Sequence, residues 1–200
     1  MIDSEQPFRA AFIVIFAATF AISAFYRRSA RRSAGAIPRR AERRALILGR
    51  VLIGLPLFAS LVVYMLNPAW LAWSQVTLPH EARWVAAILG FATIPVTHWV
   101  FRSLGRNVSE TILTREGQLL VTSGPYRWVR HPLYSTALVT FGLLSVVAAS
   151  WLLALLVGLA ALGIRAVAVE EEDQLRERFA EYAEYMTRTG RFFPRWKRDA

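Results

Sequence analysis

Two short stretches of the chain carry residue types that can do chemistry. The first runs from Gln118 to Tyr134 and includes Gly124-Pro125-Tyr126 and Val129-Arg130-His131-Pro132-Leu133-Tyr134. Gly124-Pro125 is a turn signal. His131 precedes a proline and is biased away from the α region, while Pro132 suits the first turn of a helix. The amides and positive dipole end of that helix would lie beside Arg130 and His131, a seat for a carboxylate or a phosphate. The plainer reading of the same residues is a basic flank followed by a proline-started helix. The second stretch is Glu170-Glu171-Glu172-Asp173, placed directly behind an apolar run. At about 100° per residue, Glu171 shares a helical stripe with Leu175, Phe179, Tyr182, Tyr185 and Met186 if the helix continues. Glu171 is therefore expected to point inward, where a lone carboxylate is costly and needs a cationic or donor partner. Arg130, His131 or the amine of a ligand are the candidates. Glu170, Glu172 and Asp173 are expected to face water or pair with local arginines. With Tyr126, Tyr134, Phe179 and Tyr182 as walls, the two stretches predict a pocket with the polarity of a small zwitterion. Its aromatic faces would also favour a sulfonium.

The elements that must hold these residues are apolar. The chain has 200 residues, 55% hydrophobic and only 19% charged, with a mean hydropathy of +0.35. Such a composition argues against a disordered or an ordinary soluble domain. Apolar runs fall at 8–26, 46–66, 83–101, 133–149 and 151–168. The first three reach the ~20 residues that cross a bilayer as helix. The last two are shorter and meet at Ala149-Ser150-Trp151, which reads as the tight turn of a helical hairpin. The first run is too long for a signal-peptide core, and basic residues follow rather than precede it, so it reads as a retained span. Pro56 and Pro95 lie inside spans two and three, and Trp70 and Trp73 mark a short outer loop with interfacial anchors. The sequence contains no cysteine, which removes disulfides, thiolate metal sites and Cys nucleophiles. His80, His98 and His131 are too scattered to form a zinc site, and no metal is expected.

Charge placement sets the orientation. The net charge is +10, and 23 of the 24 basic residues are arginine. Twenty-two of the 24 basic residues flank the ends of the spans that would share one side; only Arg9 and Arg83 lie on the other. By the positive-inside rule this predicts five spans, N-terminus out and C-terminus in, as in a multi-pass protein of a bacterial inner membrane. The arginines would then meet anionic membrane lipids rather than nucleic acid. The expected architecture is all-α and polytopic, with a cytoplasmic pocket formed by the C-terminal half. Residues 1–102 form a three-span region with a basic segment at 27–45, and 103–200 hold the connector, the hairpin and a C-terminal amphipathic helix.

The chemistry-bearing stretches resemble the isoprenylcysteine carboxyl methyltransferase family and its wider relatives among membrane phospholipid N-methyltransferases. The resemblance rests on Leu104-Gly105-Arg106-Asn107, on Leu120 to Tyr126, and on Val129-Arg130-His131-Pro132-Leu133-Tyr134. It continues in Glu171-Glu172 with Leu175, Phe179, Glu181-Tyr182, Tyr185 and Pro194. It covers about 104–194. It implies a membrane-embedded methyltransferase that uses S-adenosyl-L-methionine and releases S-adenosylhomocysteine, without a soluble nucleotide-binding fold. By the same resemblance, the cofactor wall falls to Gln118, Leu119, Leu120, Val121, Tyr126, His131, Pro132, Leu133, Tyr134 and Glu171. Arg130, His131 and Glu171, with Arg165 as a substrate contact, are the candidate catalytic residues.

Three positions depart from the family's pattern, and the last of them bears on substrate. Gln118 stands where eukaryotic members have His, and Ala180 where glycine is usual. Val167 stands where prenyl-protein methylating members carry an arginine one turn before the glutamate. The expected activity is methylation of a lipophilic small-molecule or lipidated acceptor, carboxyl O-methylation of an isoprenylcysteine-like substrate being one form. The alternatives are N-methylation of a phospholipid or amine, and a non-catalytic membrane protein that keeps the pocket.

Overall fold

The computed structural model describes residues 2–34, 44–105 and 120–195. Each predicted apolar run corresponds to one helix, the fourth overrunning its helix by two residues into the hairpin turn: α1 (Ile2–Ala34), α2 (Arg44–Leu66), α3 (His80–Leu104), α4 (Pro132–Val147) and α5 (Trp151–Arg178). A short α6 (Tyr182–Arg188) follows, and 3-10 turns occupy Pro68–Ser74 and Gly124–Arg127. Among the described residues the architecture is all-helical. Helix α3 packs on α1 and α4, α2 on α5, and α4 on α5.

Three of these helices, α1, α3 and α5, are long and apolar enough to cross a membrane; Val51–Leu66 and Pro132–Val147 are shorter apolar helices. At 1.5 Å per residue the 16 residues of α4 reach about 24 Å, short of the ~30 Å of a hydrocarbon core. The prolines at 56 and 95 lie within α2 and α3, which continue past them.

The expected hairpin turn is present. Ala149 takes a left-handed φ of 49°, and Ser150 caps α5 by accepting from the Leu153 amide at 3.3 Å. The loop after α2 seals this turn, through Val76 N–H to the Ala149 carbonyl at 2.8 Å and a Ser74–Ser150 hydroxyl contact at 2.9 Å. Phe12, Ile15, Leu61, Tyr64, Leu144, Val147 and Leu153 form the buried core beneath it.

Arg9 and Arg83, the two arginines at odds with the charge pattern, are used structurally here. A helix ends with carbonyls that have no intrahelical donor. Arg9 donates to the Met65 and Leu66 carbonyls closing α2, at 2.9 and 2.7 Å. Arg83 donates to the Val147 carbonyl closing α4 at 3.0 Å, pairs with Glu5 at 2.6 Å, and lies 3.9 Å from the centre of the Phe8 ring. Burial of these guanidiniums is thus matched by acceptors, as it must be inside a helix bundle.

Candidate active site

At the opposite end of the hairpin, two pieces of chain far apart in sequence meet. The approach to α4 is built as its residues dictate. Gly124 turns at φ 60°, against the Ser103 side chain, and opens the 3-10 turn. His131 sits at φ −122° as the residue before the helix, and Pro132 occupies its first turn. The C-terminal strap after α6 pairs with this approach. Arg130 N–H donates to the Gly190 carbonyl at 2.8 Å, His131 N–H to Arg191 at 3.0 Å, and Gly190 N–H to Trp128 at 3.2 Å. Ser135 Oγ then donates to the Phe192 carbonyl at 2.6 Å.

The centre of the corner is Glu172, 2% exposed. Its Oε1 accepts from Arg130 Nε at 2.8 Å and from His131 Nε2 at 3.2 Å, and its Oε2 from Arg191 Nη2 at 2.7 Å. Arg191 Nε reaches both carboxylate oxygens at 3.1 Å. The Arg191 guanidinium is held above its already high range by those hydrogen bonds. Arg130 also donates through Nη1 to the Thr189 carbonyl and, at 3.3 Å, to Met186. With its Nε and Nη1 bound inside the protein, Arg130 braces α5 against the end of α6.

Glu171 is at the rim, its side chain 29% exposed. Tyr134 Oη donates to its Oε2 at 3.1 Å, and His131 Nδ1 lies 3.7 Å from the same oxygen. The His131 ring is stacked on Tyr134, centroids 5.5 Å apart and 17° between planes, with Phe192 on another side at 6.0 Å. Tyr126 is buried, and its carbonyl accepts from Tyr185 Oη at 2.5 Å. Burial pushes the phenols of Tyr126, Tyr182 and Tyr185 up, Tyr185 to about 12, and the nearby Glu171 and Glu172 charges add to the effect on Tyr126 and Tyr182 respectively.

The structure therefore corrects the reading of the acidic run. Glu172, expected to face water or pair with local arginines, is the buried member; Glu171 is half-buried beside it. The stripe argument assumed one continuous helix from 171 to 186. Helix α5 instead ends at Arg178, Phe179 N–H closing on Leu175 at 2.9 Å, and α6 starts afresh at Tyr182. The face that packs is set upstream by Val167 and Ala168, both buried, and Glu172 lies one turn beyond Ala168. Arg191 was read only as one more basic flank. Its place beside Glu172 follows from the backbone pairing of the strap, which leaves no periodic signal in sequence.

Of the other expected residues, Leu120 and Val121 are half-buried, Pro132 is buried, and Leu133 packs on the Ala30–Phe101 cluster. Arg165 is exposed on α5, two turns before Glu172. Gln118, Leu119, Arg106 and Asn107 lie outside the described residues.

A chain with three membrane-length helices, whose polar and aromatic corner is assembled from a helix start and a helix end, has the build of an integral membrane protein with that corner at one end of a hairpin. Residues 85–177 match the isoprenylcysteine carboxyl methyltransferase (ICMT) family. This stretch, from within α3 almost to the end of α5, is a little under half of the chain and is what the chain shares with that family of membrane methyltransferases. The match begins earlier than the motif resemblance and stops short of α6 and the strap. Two curated relatives are bacterial. The cobalt-zinc-cadmium resistance protein CzcN of Cupriavidus metallidurans is 45% identical over 84 residues, 40% of this chain and 38% of that protein. The nickel-cobalt-cadmium resistance protein NccN of Alcaligenes xylosoxydans xylosoxydans is 35% identical over 117 residues, 58% of this chain and 54% of that one. The chain thus spans about two fifths to one half of the length of these relatives.

Proposed function

We propose that the protein transfers a methyl group from S-adenosylmethionine to a lipophilic acceptor, at a site on the cytoplasmic face of five membrane crossings. The observation that carries this reading is the joining of the two motif segments at one end of the hairpin, through Tyr134 to Glu171 at 3.1 Å and His131 to Glu172 at 3.2 Å. The five crossings rest on the apolar helices and on the lopsided placement of arginine, with α2 and α4 as the short spans.

The donor set fits a sulfonium amino acid. Glu171, half-buried at the rim, can accept from an ammonium. The start of α4, with the positive end of its dipole beside His131, suits a carboxylate. The stacked His131 and Tyr134 rings offer the aromatic faces that a sulfonium favours. When bound, the cofactor supplies an activated methyl group whose thioether leaves without needing an acid. The residues of the chain bind, align and exclude water; Arg130 and Glu172 hold the corner rigid so that Glu171, His131 and Tyr134 keep their positions.

The acceptor reaches the site from the inner leaflet. A carboxylate acceptor is already ionised at neutral pH and would meet Arg165; an amine acceptor would need a base, for which His131 and Glu171 are placed. The buried, uncharged Val167, where prenylcysteine-methylating members resemble one another in carrying arginine, favours N-methylation of a lipid amine as the second reading. The resistance roles in the names of the two relatives leave the acceptor open.

Titration of S-adenosylhomocysteine into the detergent-solubilised protein by calorimetry tests the cofactor assignment. Saturable binding is expected, weakened about tenfold or more in Glu171→Gln. Folded protein that takes up no heat of binding refutes it. Lipid extracts incubated with methyl-labelled cofactor then separate the acceptors: base-labile volatile label marks an ester, and label in choline-type headgroups marks an amine.

A further inference from the structure

The C-terminal strap lies beyond the segment that matches the methyltransferase family, at residues 189–193, yet it is bonded to the His131 corner through both backbone and side chain. Its backbone accepts from the Arg130 and His131 amides and from the Ser135 hydroxyl. Its one charged side chain, Arg191, reaches both oxygens of Glu172. Glu172 in turn faces His131 Nε2 at 3.2 Å.

An ionised carboxylate is acceptor-only. The imidazole nitrogen that faces Glu172 must therefore carry the hydrogen, and in a neutral ring the other nitrogen, Nδ1, is then a bare acceptor. Arg130 and Arg191 both pair with Glu172, Glu171 lies on the Nδ1 side of the ring, and Tyr134 and Phe192, the ring's aromatic neighbours from α4 and the strap, carry no charge. Nδ1 then lies 3.7 Å from Glu171 Oε2, two acceptors across a gap that only a donor can bridge. An ammonium group has three such donors.

We propose that Arg191 is a positioning residue: by clamping Glu172 it holds His131 as the Nε2–H tautomer, so that Nδ1 and Glu171 together form an acceptor pair for the ammonium group of the bound ligand. The role assigned to the acceptor pair rests on the cofactor reading above; the tautomer does not. The hydrogen bond behind a ring nitrogen sets which nitrogen is protonated, and partners in this position behind ligating histidines typically change affinity or activity by about 10–100-fold.

The test reads the tautomer and the affinity separately. Nitrogen-15 histidine NMR of the full chain in detergent at neutral pH, with His131→Gln used to assign the signal, reports the protonation pattern of the ring without any ligand. The Nε2–H pattern is expected in the native protein. It should give way to a tautomer mixture in Arg191→Gln and return in part in Arg191→Lys, which keeps the charge but cannot donate along both edges of the carboxylate. S-adenosylhomocysteine affinity should fall about tenfold or more in Arg191→Gln, with circular dichroism showing the helices intact. A native-like pattern in folded Arg191→Gln overturns the proposal, as does an Nδ1–H or doubly protonated ring in the native protein. Should Arg191→Gln fail to fold, a fully native pattern in Arg191→Lys overturns it instead. If the tautomer behaves as expected but the native protein binds no S-adenosylhomocysteine, the cofactor reading is what fails.

Discussion

Two adjacent glutamates in this chain should give opposite phenotypes. Glu172 is 2% exposed and accepts from two arginines and a histidine; Glu171 is 29% exposed and accepts from Tyr134. Replacing Glu172 with alanine leaves Arg130, itself only 8% exposed, as a buried guanidinium without its carboxylate. Breaking a buried pair from one side costs about 3–5 kcal/mol. That loss is a large part of the roughly 5–15 kcal/mol by which folded domains are stable, and about a thousandfold in the unfolding equilibrium. Replacing Glu171 with alanine removes the Tyr134 hydrogen bond at a solvated rim, about 1 kcal/mol. Chemical unfolding in detergent, followed by tryptophan fluorescence, measures the first quantity, and calorimetry with S-adenosylhomocysteine the second. The expected result is a strongly destabilised Glu172→Ala and a nearly native Glu171→Ala that has lost most of its affinity. Equal stability losses in the two variants would refute the division of labour between them, and a stable Glu172→Ala would refute the central role of the buried carboxylate.

The remaining expectations concern the rest of the molecule. At the far end of the bundle, Arg83→Met should cost about 2–4 kcal/mol, because Glu5 loses its bidentate partner and the Val147 carbonyl its donor, while S-adenosylhomocysteine affinity stays native; a matched loss of affinity would show that the two ends are coupled. Alkali should loosen the corner. The raised phenols of Tyr126, Tyr182 and Tyr185 favour the fold while neutral, so their contribution is whole below the ordinary phenol value of about 10 and is lost as pH climbs through about 12. Phenolate absorbance rising together with unfolding is the expected signature, and free ionisation near pH 10 (the ordinary phenol value) without unfolding would contradict the burial of these rings. Because the chain has no cysteine, single cysteines report topology cleanly. Ala69→Cys should react with an impermeant thiol reagent added outside intact cells, and Ala180→Cys only after lysis; the reverse pattern would invert the proposed orientation.

What could be read from sequence follows from the range of each interaction. The five helices were legible because apolar length and basic flanks are properties of contiguous chain, and each expected run corresponds to one helix, the fourth passing the end of α4 by two residues. The hairpin turn at Ala149-Ser150 and the start of α4 at Pro132 were legible for the same reason: backbone restrictions on proline and capping by serine act within a few residues. The acidic run was misjudged at the point where local reasoning stops being valid. Helical periodicity fixes which residue faces which only as long as the helix lasts, and the break at Phe179 sets α6 on its own axis. The aromatic stripe from Phe179 to Met186 therefore says nothing about Glu171, whereas Ala168, one turn before Glu172 on the same helix, does.

The arginines make the same argument in reverse. Twenty-one of them fit the expected rule about membrane sides, and that rule gives no hint that Arg130 and Arg191 share one buried carboxylate. Nor does it explain Arg9 and Arg83. Each of these four is defined by a carbonyl or carboxylate at least 19 residues away in the chain, chosen by helix ends and by one short backbone pairing. A composition dominated by arginine hides such residues among their neighbours, because a guanidinium at a lipid headgroup and one locked on a buried glutamate look alike until the partner is known. The distinction decides function here. Exposed arginines can be exchanged for lysine at little cost, but Arg130 and Arg191 present planar, multi-donor edges that lysine cannot reproduce. Conservative replacement of every arginine in turn should thus leave most of the chain unaffected, and the few positions that respond should be those that build the corner and cap the helix ends.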